Sequence, residues 1–311
     1  GGGGRPGGSP RDDVQHSPCH PAGALVVRGG GRAATQRHYC KFDCLMKRSE
    51  MATLVELKEA SFSHDTGTEI LHQVSLSVQE GARIAVLGEN GSGKSTLFRL
   101  LSGAWTPTSG ELVIAGTPIT RARRKKQARD FARAHVQLVL QEPDDQIFAM
   151  SVREDISFGP LNQGLTPEEV ESRVDQAMMA AEVSELAEKV PHQLSYGQRK
   201  RVALAGALAM QPDVLMLDDP TAGLDPAGSR KLLRTIEGLE AAVVLSTHDV
   251  NLAYEFATDV VVLLDGRLTV GSCDHILSDT ELLRKARLEL PWAPVVSVAL
   301  GRTVKRPEDV L

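Results

Sequence analysis

The segment Gly88-Glu89-Asn90-Gly91-Ser92-Gly93-Lys94-Ser95-Thr96 constrains the fold of this chain more than any other. It fits the phosphate-loop spacing G-x-x-x-x-G-K-[ST]. The continuous apolar run Ile84-Ala85-Val86-Leu87 precedes it, as in a central parallel strand. Leu97, Leu100 and Leu101 follow on one helical face, so a helix is expected to start at Lys94. Strand, glycine-rich loop and helix in that order make an anion site. Glycines let backbone N–H groups turn inward toward phosphate oxygens, and the helix N-terminus adds positive potential. Lys94 is expected to reach the β- and γ-phosphates of a nucleotide, and the Ser95 hydroxyl to ligate Mg²⁺.

The remaining pattern agrees with a parallel α/β sheet. Two further apolar runs, Val214-Leu215-Met216-Leu217 and Val243-Val244-Leu245, have the length of buried strands and are separated by helical segments. Leu54 to Leu57 and Val74 to Val78 alternate apolar and polar residues, as half-buried strands do. Residues from about 145 to 200 read as mainly helical, an insertion into the sheet pattern. After about residue 276 a tail carries a helical piece, Glu281 to Leu288, which Pro291 is expected to stop.

Residues 1–50 differ from the rest. They hold 10 of the 28 glycines without a hydrophobic period and read as a disordered extension, with Met51 as a natural start for the folded part. Ala22 to Val27 is too short for a signal-peptide core. Three of the four cysteines lie in this extension, which argues against a disulfide framework and for a reducing cytoplasm. His38, Cys40 and Cys44 match no standard zinc spacing and read as unused side chains. The net charge of −5 gives no global attraction to nucleic acid or acidic lipid. No run approaches the roughly 18–20 apolar residues that span a bilayer, so other chains must cross any membrane this one serves. The basic run Arg121, Arg123, Arg124, Lys125, Lys126, Arg129 and Arg133 reads as a solvated helix face.

The run ending in Asp218-Asp219 brings carboxylates to the C-terminal edge of the sheet, where nucleotides bind in open α/β folds. Asp218 suits Mg²⁺, a hard cation that takes oxygen ligands, and Asp219 points where a hydrolytic water could sit. A third piece, Leu194-Ser195-Tyr196-Gly197-Gln198, opens a helical run; by itself it is only a helix cap.

Taken together, the phosphate loop, Gln141, LSYGQ, LMLDDP, Ala222-Gly223-Leu224-Asp225 and His248 resemble, in order and spacing, the nucleotide-binding domain of ABC transporters, over about residues 51–275. The resemblance implies a P-loop NTPase fold with a RecA-like parallel sheet core, an inserted helical subdomain and a small antiparallel β part. It implies ATP and Mg²⁺ as ligands. Gln141 matches the glutamine that senses Mg²⁺ and the attacking water, so it stands with Ser95 and Asp218 around the metal. Asp219 and His248 match the catalytic carboxylate and the γ-phosphate switch histidine. Ser195, Gly197 and Gln198 match the signature that closes on ATP held by a second ATPase subunit, identical or different, and Asp225 matches an interface aspartate. Two departures stand out. Asp219 replaces the usual Glu and is about 1.5 Å shorter. His64 stands where an aromatic ring usually stacks on adenine.

Gln141-Glu142-Pro143-Asp144-Asp145-Gln146-Ile147-Phe148, Ser157-Phe158-Gly159-Pro160, LSYGQRKRVALAGALAM and PTAGLDPAG further resemble the energy-coupling-factor importers, most of all their cobalt-importer ATPases. That implies a peripheral place at the cytoplasmic face of the cell membrane. A transmembrane coupling protein would dock near Asp144, Asp145 and Gln146, beside a substrate-binding membrane subunit and without nucleic acid. The expected activity is ATP hydrolysis driving import of cobalt. The rivals are nickel or a vitamin as cargo, a nucleotide-gated structural subunit, and a soluble ABC protein acting on ribosomes or DNA. The last usually carries two such domains or a long coiled-coil insert, which this chain lacks.

Overall fold

The computed structural model describes residue 1 and residues 51–310, apart from 65–66, 121–124 and 303. The expectations for residues 2–50, including the disordered extension and the His38, Cys40 and Cys44 side chains, lie outside the described residues.

Two sheets form the scaffold. The larger has six strands in the order β10-β9-β3-β8-β7-β6. They are β3 (Arg83–Leu87), β6 (Val136–Val139), β7 (Val214–Leu217), β8 (Ala242–Thr247), β9 (Asp259–Leu264) and β10 (Arg267–Ser272). All neighbours pair in parallel except β10, which runs antiparallel to β9 at one edge. The continuous apolar runs read from the sequence are the central strands. Every residue of β7 and β8 is buried, because helices cover both faces of a parallel sheet.

The smaller sheet is antiparallel, in the order β2-β1-β4-β5, from β1 (Thr53–Ser63), β2 (Glu69–Gln79), β4 (Ser109–Ile114) and β5 (Thr117–Pro118). In β2, Leu71, Val74, Leu76 and Val78 are buried between partly or fully exposed neighbours, the alternation of a one-sided sheet. These side chains share a core with Leu97, Phe98, Leu100 and Leu101 of α1 (Lys94–Leu101), which starts where the sequence places it.

Helix α2 (Lys125–His135) carries the end of the basic run, with Lys126, Arg129 and Arg133 exposed and Ala128 and Ala132 buried. Between β6 and β7 lie α3 (Val152–Asn162), α4 (Pro167–Ala180) and α5 (Tyr196–Ala209). They build a core of their own from Val152, Ile156, Val170, Val174, Met178 and Val202, among others. Gly159 lets α3 approach the α5 end closely, since a Cβ there would sit 2.4 Å from the Met210 sulfur. Thr166 and Glu169 form a capping box at the start of α4.

Helices α6 (Pro226–Glu237) and α7 (Val250–Phe256) follow β7 and β8. Beyond β10 come α8 (Cys273–Ile276), α9 (Thr280–Lys285) and α10 (Trp292–Leu300). The tail thus differs from expectation at two points. Helix α9 ends at Lys285, and the chain turns through Arg287 in the left-handed region at φ 53°. Pro291, read as a stop, also begins α10 as its N-cap, a place where the missing N–H costs nothing.

Candidate functional site

The phosphate loop connects β3 to α1. Gly91 and Gly93 take φ of 84° and 105°, left-handed values that favour glycine. Gly88 is required for space: a Cβ would lie 2.7 Å from the Ser92 hydroxyl and 2.8 Å from the Leu263 carbonyl oxygen. The Lys94 ammonium donates to the carbonyls of Gly88, at 2.7 Å, and Glu89, at 2.8 Å, so its side chain folds back over the loop. Burial holds Lys94 below the ordinary lysine value, while Asp219, Asp218 and Glu89 work against that shift. The Ser92 hydroxyl is buried with no hydrogen-bond partner, as expected of a group shaped for an incoming oxygen.

A cleft of about 430 Å³ opens beside this loop. Asn90, Gly91, Gly93, Lys94, Ser95 and Thr96 line one side, and Gln141, Asp218 and Asp219 the other. Residues 45 to 129 positions apart meet here because β3, β6 and β7 end at the same edge of the parallel sheet. The Glu89 side chain points away from the cleft and pairs with Arg287 at 3.2 Å.

Asp218 and Asp219 are held by Ser246 at the end of β8. The Ser246 hydroxyl donates to Asp218 Oδ1 at 2.6 Å and accepts from the Asp219 N–H at 2.9 Å. Asp219 itself sits in the left-handed region at φ 41°. Its Oδ1 is buried without a partner, and its Oδ2 lies 3.4 Å from His248 Nδ1. The His248 ring stays mostly exposed on the rim. The donor set suits Mg²⁺: a hydroxyl, an amide oxygen and a carboxylate are the hard oxygen ligands it takes, and Asp219, one of whose oxygens has no partner, lines the same cleft. Among the described residues, no group of three or more His, Cys, Asp and Glu forms a metal centre of its own.

Ser195, Gly197 and Gln198 lie outside this cleft. The Ser195 hydroxyl accepts from the Gln198 N–H at 3.3 Å and the Gln198 side chain accepts from the Ser195 N–H at 2.8 Å, a capping box that starts α5. Asp225 likewise caps α6, accepting from the Gly228 N–H at 2.6 Å. The two segments pack together: a Cβ on Gly223 would lie 2.7 Å from the Tyr196 ring. The Tyr196 hydroxyl reaches Glu142 at 3.3 Å, next to Gln141.

His64 is likewise outside the phosphate cleft. Its ring packs edge-on against Phe62 and Trp105, at 5.3 and 5.4 Å, in a separate cavity of about 450 Å³. Phe62 and Trp105 stack nearly parallel at 5.1 Å, which gives the imidazole a flat aromatic neighbour. Of the three residues expected near the docking site, Gln146 is half-buried. Its amide turns inward, accepting from the Leu140 N–H at 2.7 Å and donating to the Leu138 carbonyl at 2.9 Å. Asp144 and Asp145 remain exposed, with Asp144 2.8 Å from Arg199. Ser246, Lys200 and Trp105 were not found from the sequence, because each acts through a contact far along the chain.

Residues 71–222 match the family model described as ABC transporter. A putative ABC transporter ATP-binding protein of Streptomyces coelicolor is 50% identical over 242 residues, 77% of this chain and 84% of that protein. The energy-coupling factor transporter ATP-binding protein EcfA of Methanocaldococcus jannaschii is 46% identical over 242 residues, 76% of this chain and 86% of its own. The cobalt import ATP-binding protein CbiO of Rhodobacter capsulatus is 44% identical over 261 residues, 83% of this chain and 91% of its own. Among solved structures, CbiO1 of Clostridium perfringens, part of the CbiONQ transporter complex, superposes with a TM-score of 0.67. It is 34% identical and covers 80% of this chain and 99% of its own. A dimeric ATP-binding cassette in a post-hydrolysis state with ADP and phosphate superposes at 0.64, with 28% identity over 71% of this chain and 99% of its own.

Proposed function

The chain belongs to the ABC transporter family, as an ATP-binding and ATP-hydrolysing subunit of the energy-coupling-factor kind, and from that premise we propose that it powers the import of a transition-metal ion, cobalt, at the cytoplasmic face of a membrane. The observation that carries this reading is the single cleft in which the phosphate loop, Gln141, Asp218 and Asp219 meet, with His248 on its rim. Lys94 leaves the carbonyls of Gly88 and Glu89 to contact phosphate, and the loop N–H groups receive the remaining oxygens. Ser95, Gln141 and Asp218 would hold Mg²⁺, which supplies charge neutralisation on the phosphates. Asp219 orients the attacking water, and His248, within reach of Asp219 Oδ2, stabilises charge on the terminal phosphate. His64 offers its ring to the adenine after turning from Trp105.

The signature residues Ser195, Gly197 and Gln198 lie away from the chain's own cleft, which supports closure by two chains, each signature capping ATP on the other. The dimeric cassette with ADP and phosphate is similar to this chain and supports the same arrangement. Asp225, at the packed contact between the two segments, belongs to that interface. ATP-dependent dimerisation of His248→Ala by light scattering tests it, and a monomer at saturating ATP would contradict it.

No helix among the described residues is long and apolar enough to cross a membrane, so transport needs separate membrane subunits. Phe148, Met150 and Phe158 are exposed by 65%, 76% and 52% just after Asp144 and Asp145. Phe148 and Phe158 touch edge to face at 4.8 Å. Such an apolar patch with an acidic border fits a helix of the transmembrane coupling protein. The similarity to CbiO of R. capsulatus supports cobalt, and similarity to EcfA keeps nickel or a vitamin as the alternative cargo. The test is to purify the chain with its membrane partners, reconstitute them in vesicles with Mg-ATP on the chain's side, and measure uptake of labelled Co²⁺, Ni²⁺ and vitamins. Cobalt uptake that Lys94→Ala abolishes is the expected result, and uptake of another cargo alone would replace cobalt.

A further inference from the structure

Lys200 is almost fully buried, 5% exposed, in the second turn of α5. A buried ammonium carries a large desolvation cost unless its donors are used. Its Nζ donates to two backbone carbonyls, of Asp219 and Pro220, each at 3.0 Å. It also stands 5.4 Å from the centre of the Tyr196 ring. Burial holds it below the ordinary lysine value, with Asp219, Glu142 and Asp218 opposing. The peptide it grips is the unusual one. Asp219 is a non-glycine residue at φ 41°, a strained conformation that persists only where its surroundings enforce it. The Ser246 hydroxyl holds the N–H of Asp219 and Lys200 holds its carbonyl, so both ends of the residue are fixed.

We propose that Lys200 is a positioning residue for hydrolysis, clamping the Asp219-Pro220 backbone so that the Asp219 carboxylate faces the cleft. It touches no substrate and acts through Asp219. Its place on α5 adds a consequence, which rests on the two-chain reading above. Helix α5 begins with Ser195, Gly197 and Gln198, the residues assigned to ATP on the partner chain, whereas Asp219 serves the chain's own ATP. Lys200 therefore ties the segment that engages one nucleotide to the carboxylate that works on the other. A displacement of α5 on closure is transmitted to Asp219 through two hydrogen bonds.

The test compares full-length wild type with Lys200→Met and Lys200→Gln. Methionine fills the same space without a donor, and glutamine keeps N–H donors without the charge. Lys200→Met is expected to lower kcat at least tenfold while Mg-ATP affinity stays within about twofold, because the phosphate loop is untouched. Lys200→Gln is expected to recover most of the loss, since carbonyls need donors rather than charge. A purely packing role would show in thermal stability and not in this split between kcat and affinity. Wild-type kcat in Lys200→Met overturns the proposal, as does a loss that Lys200→Gln does not recover. Should Lys200→Met fail to fold, Lys200→Ala, which leaves room for water, carries the same expectation and the same overturning result. Lys94→Ala runs alongside: if hydrolysis survives it, the ATP-site reading fails, whereas wild-type kcat in Lys200→Met with a dead Lys94→Ala sinks only the role of Lys200.

Discussion

His248 Nδ1 lies 3.4 Å from Asp219 Oδ2, so the imidazole and the carboxylate proposed to act on the terminal phosphate and the attacking water are in direct contact. The other carboxylate oxygen is buried and has no hydrogen-bond partner. Asp is shorter than the Glu usual in the family, and its left-handed backbone is held by Ser246 and Lys200. Asp219→Asn is therefore expected to lower ATP turnover by roughly 10²-fold or more, the scale for losing a positioned acid–base group. Asp219→Glu should preserve or raise it. Steady-state ATPase of the three proteins decides. Equal turnover in the Asn variant would remove the carboxylate from the reaction and favour a nucleotide-gated structural subunit.

Gly88 gives a prediction about the loop itself. A methyl group there meets the Ser92 hydroxyl and the Leu263 backbone oxygen at under 3 Å. The serine can rotate, but the carbonyl belongs to β9 and cannot give way cheaply. Gly88→Ala is expected to lower the thermal midpoint by several degrees and weaken Mg-ATP binding, because the shift reaches the carbonyl that Lys94 grips. Unchanged binding by titration calorimetry would show that the loop relaxes locally.

Much of this site was legible in the sequence because its parts are local. Gly88 to Thr96 and Asp218-Asp219 each follow a buried strand, and the strand-edge position of their side chains follows from that alone. Ser246 was hidden for the opposite reason: a serine ending an apolar strand has no local mark, and its two hydrogen bonds span 27 and 28 positions. Lys200 reads as one more base in the run RKR, and only the packing of α5 under Pro220 reveals it. Helix α10 has no such mark, because Pro291 reads as an ending; its Ala293 packs into the core of the larger sheet, a contact the local sequence does not encode. Nothing local in the sequence marks Gln146 as the residue whose amide bonds the backbone of Leu138 and Leu140 at the end of β6.

Cys273 at the start of α8 is buried, and burial pushes its thiol up to about 11. The thiolate is the reactive form, so at pH 9 its fraction falls from about one half to about one hundredth. In a variant with Cys19, Cys40 and Cys44 changed to Ser, alkylation of Cys273 at pH 9 is expected to run about fiftyfold slower in folded protein than in urea. Mass spectrometry of quenched samples measures both rates. Comparable rates would mean that α8 opens readily.

The last prediction concerns the clamp between the tail and the sheet-covering helices. Arg306 pairs with Glu237 at the end of α6 and, at 2.8 Å, with Glu255 in α7. Next to it Val304 is completely buried and its N–H donates to Ser297 in α10. Burial raises the Glu255 carboxyl above its ordinary value; Arg306 opposes this, and Glu237 and Glu308 add to it. A carboxyl whose folded value is raised contributes stability below its unfolded value and loses it as pH rises through the folded one. Removing Arg306 takes away the group that restrains this shift, leaving Glu237, Glu255 and Glu308 facing one another. The deficit of Arg306→Met should therefore be smaller at pH 4.5, where the raised value of Glu255 keeps more of that carboxyl neutral, and grow toward pH 8. These side chains are partly exposed, which limits the effect to about 1 kcal/mol, or roughly 2–4 °C in the thermal midpoint at pH 8. Thermal melts of wild type and variant at both pH values test it. A deficit that is equal at both, or larger at pH 4.5, would mean that Arg306 contributes packing rather than charge.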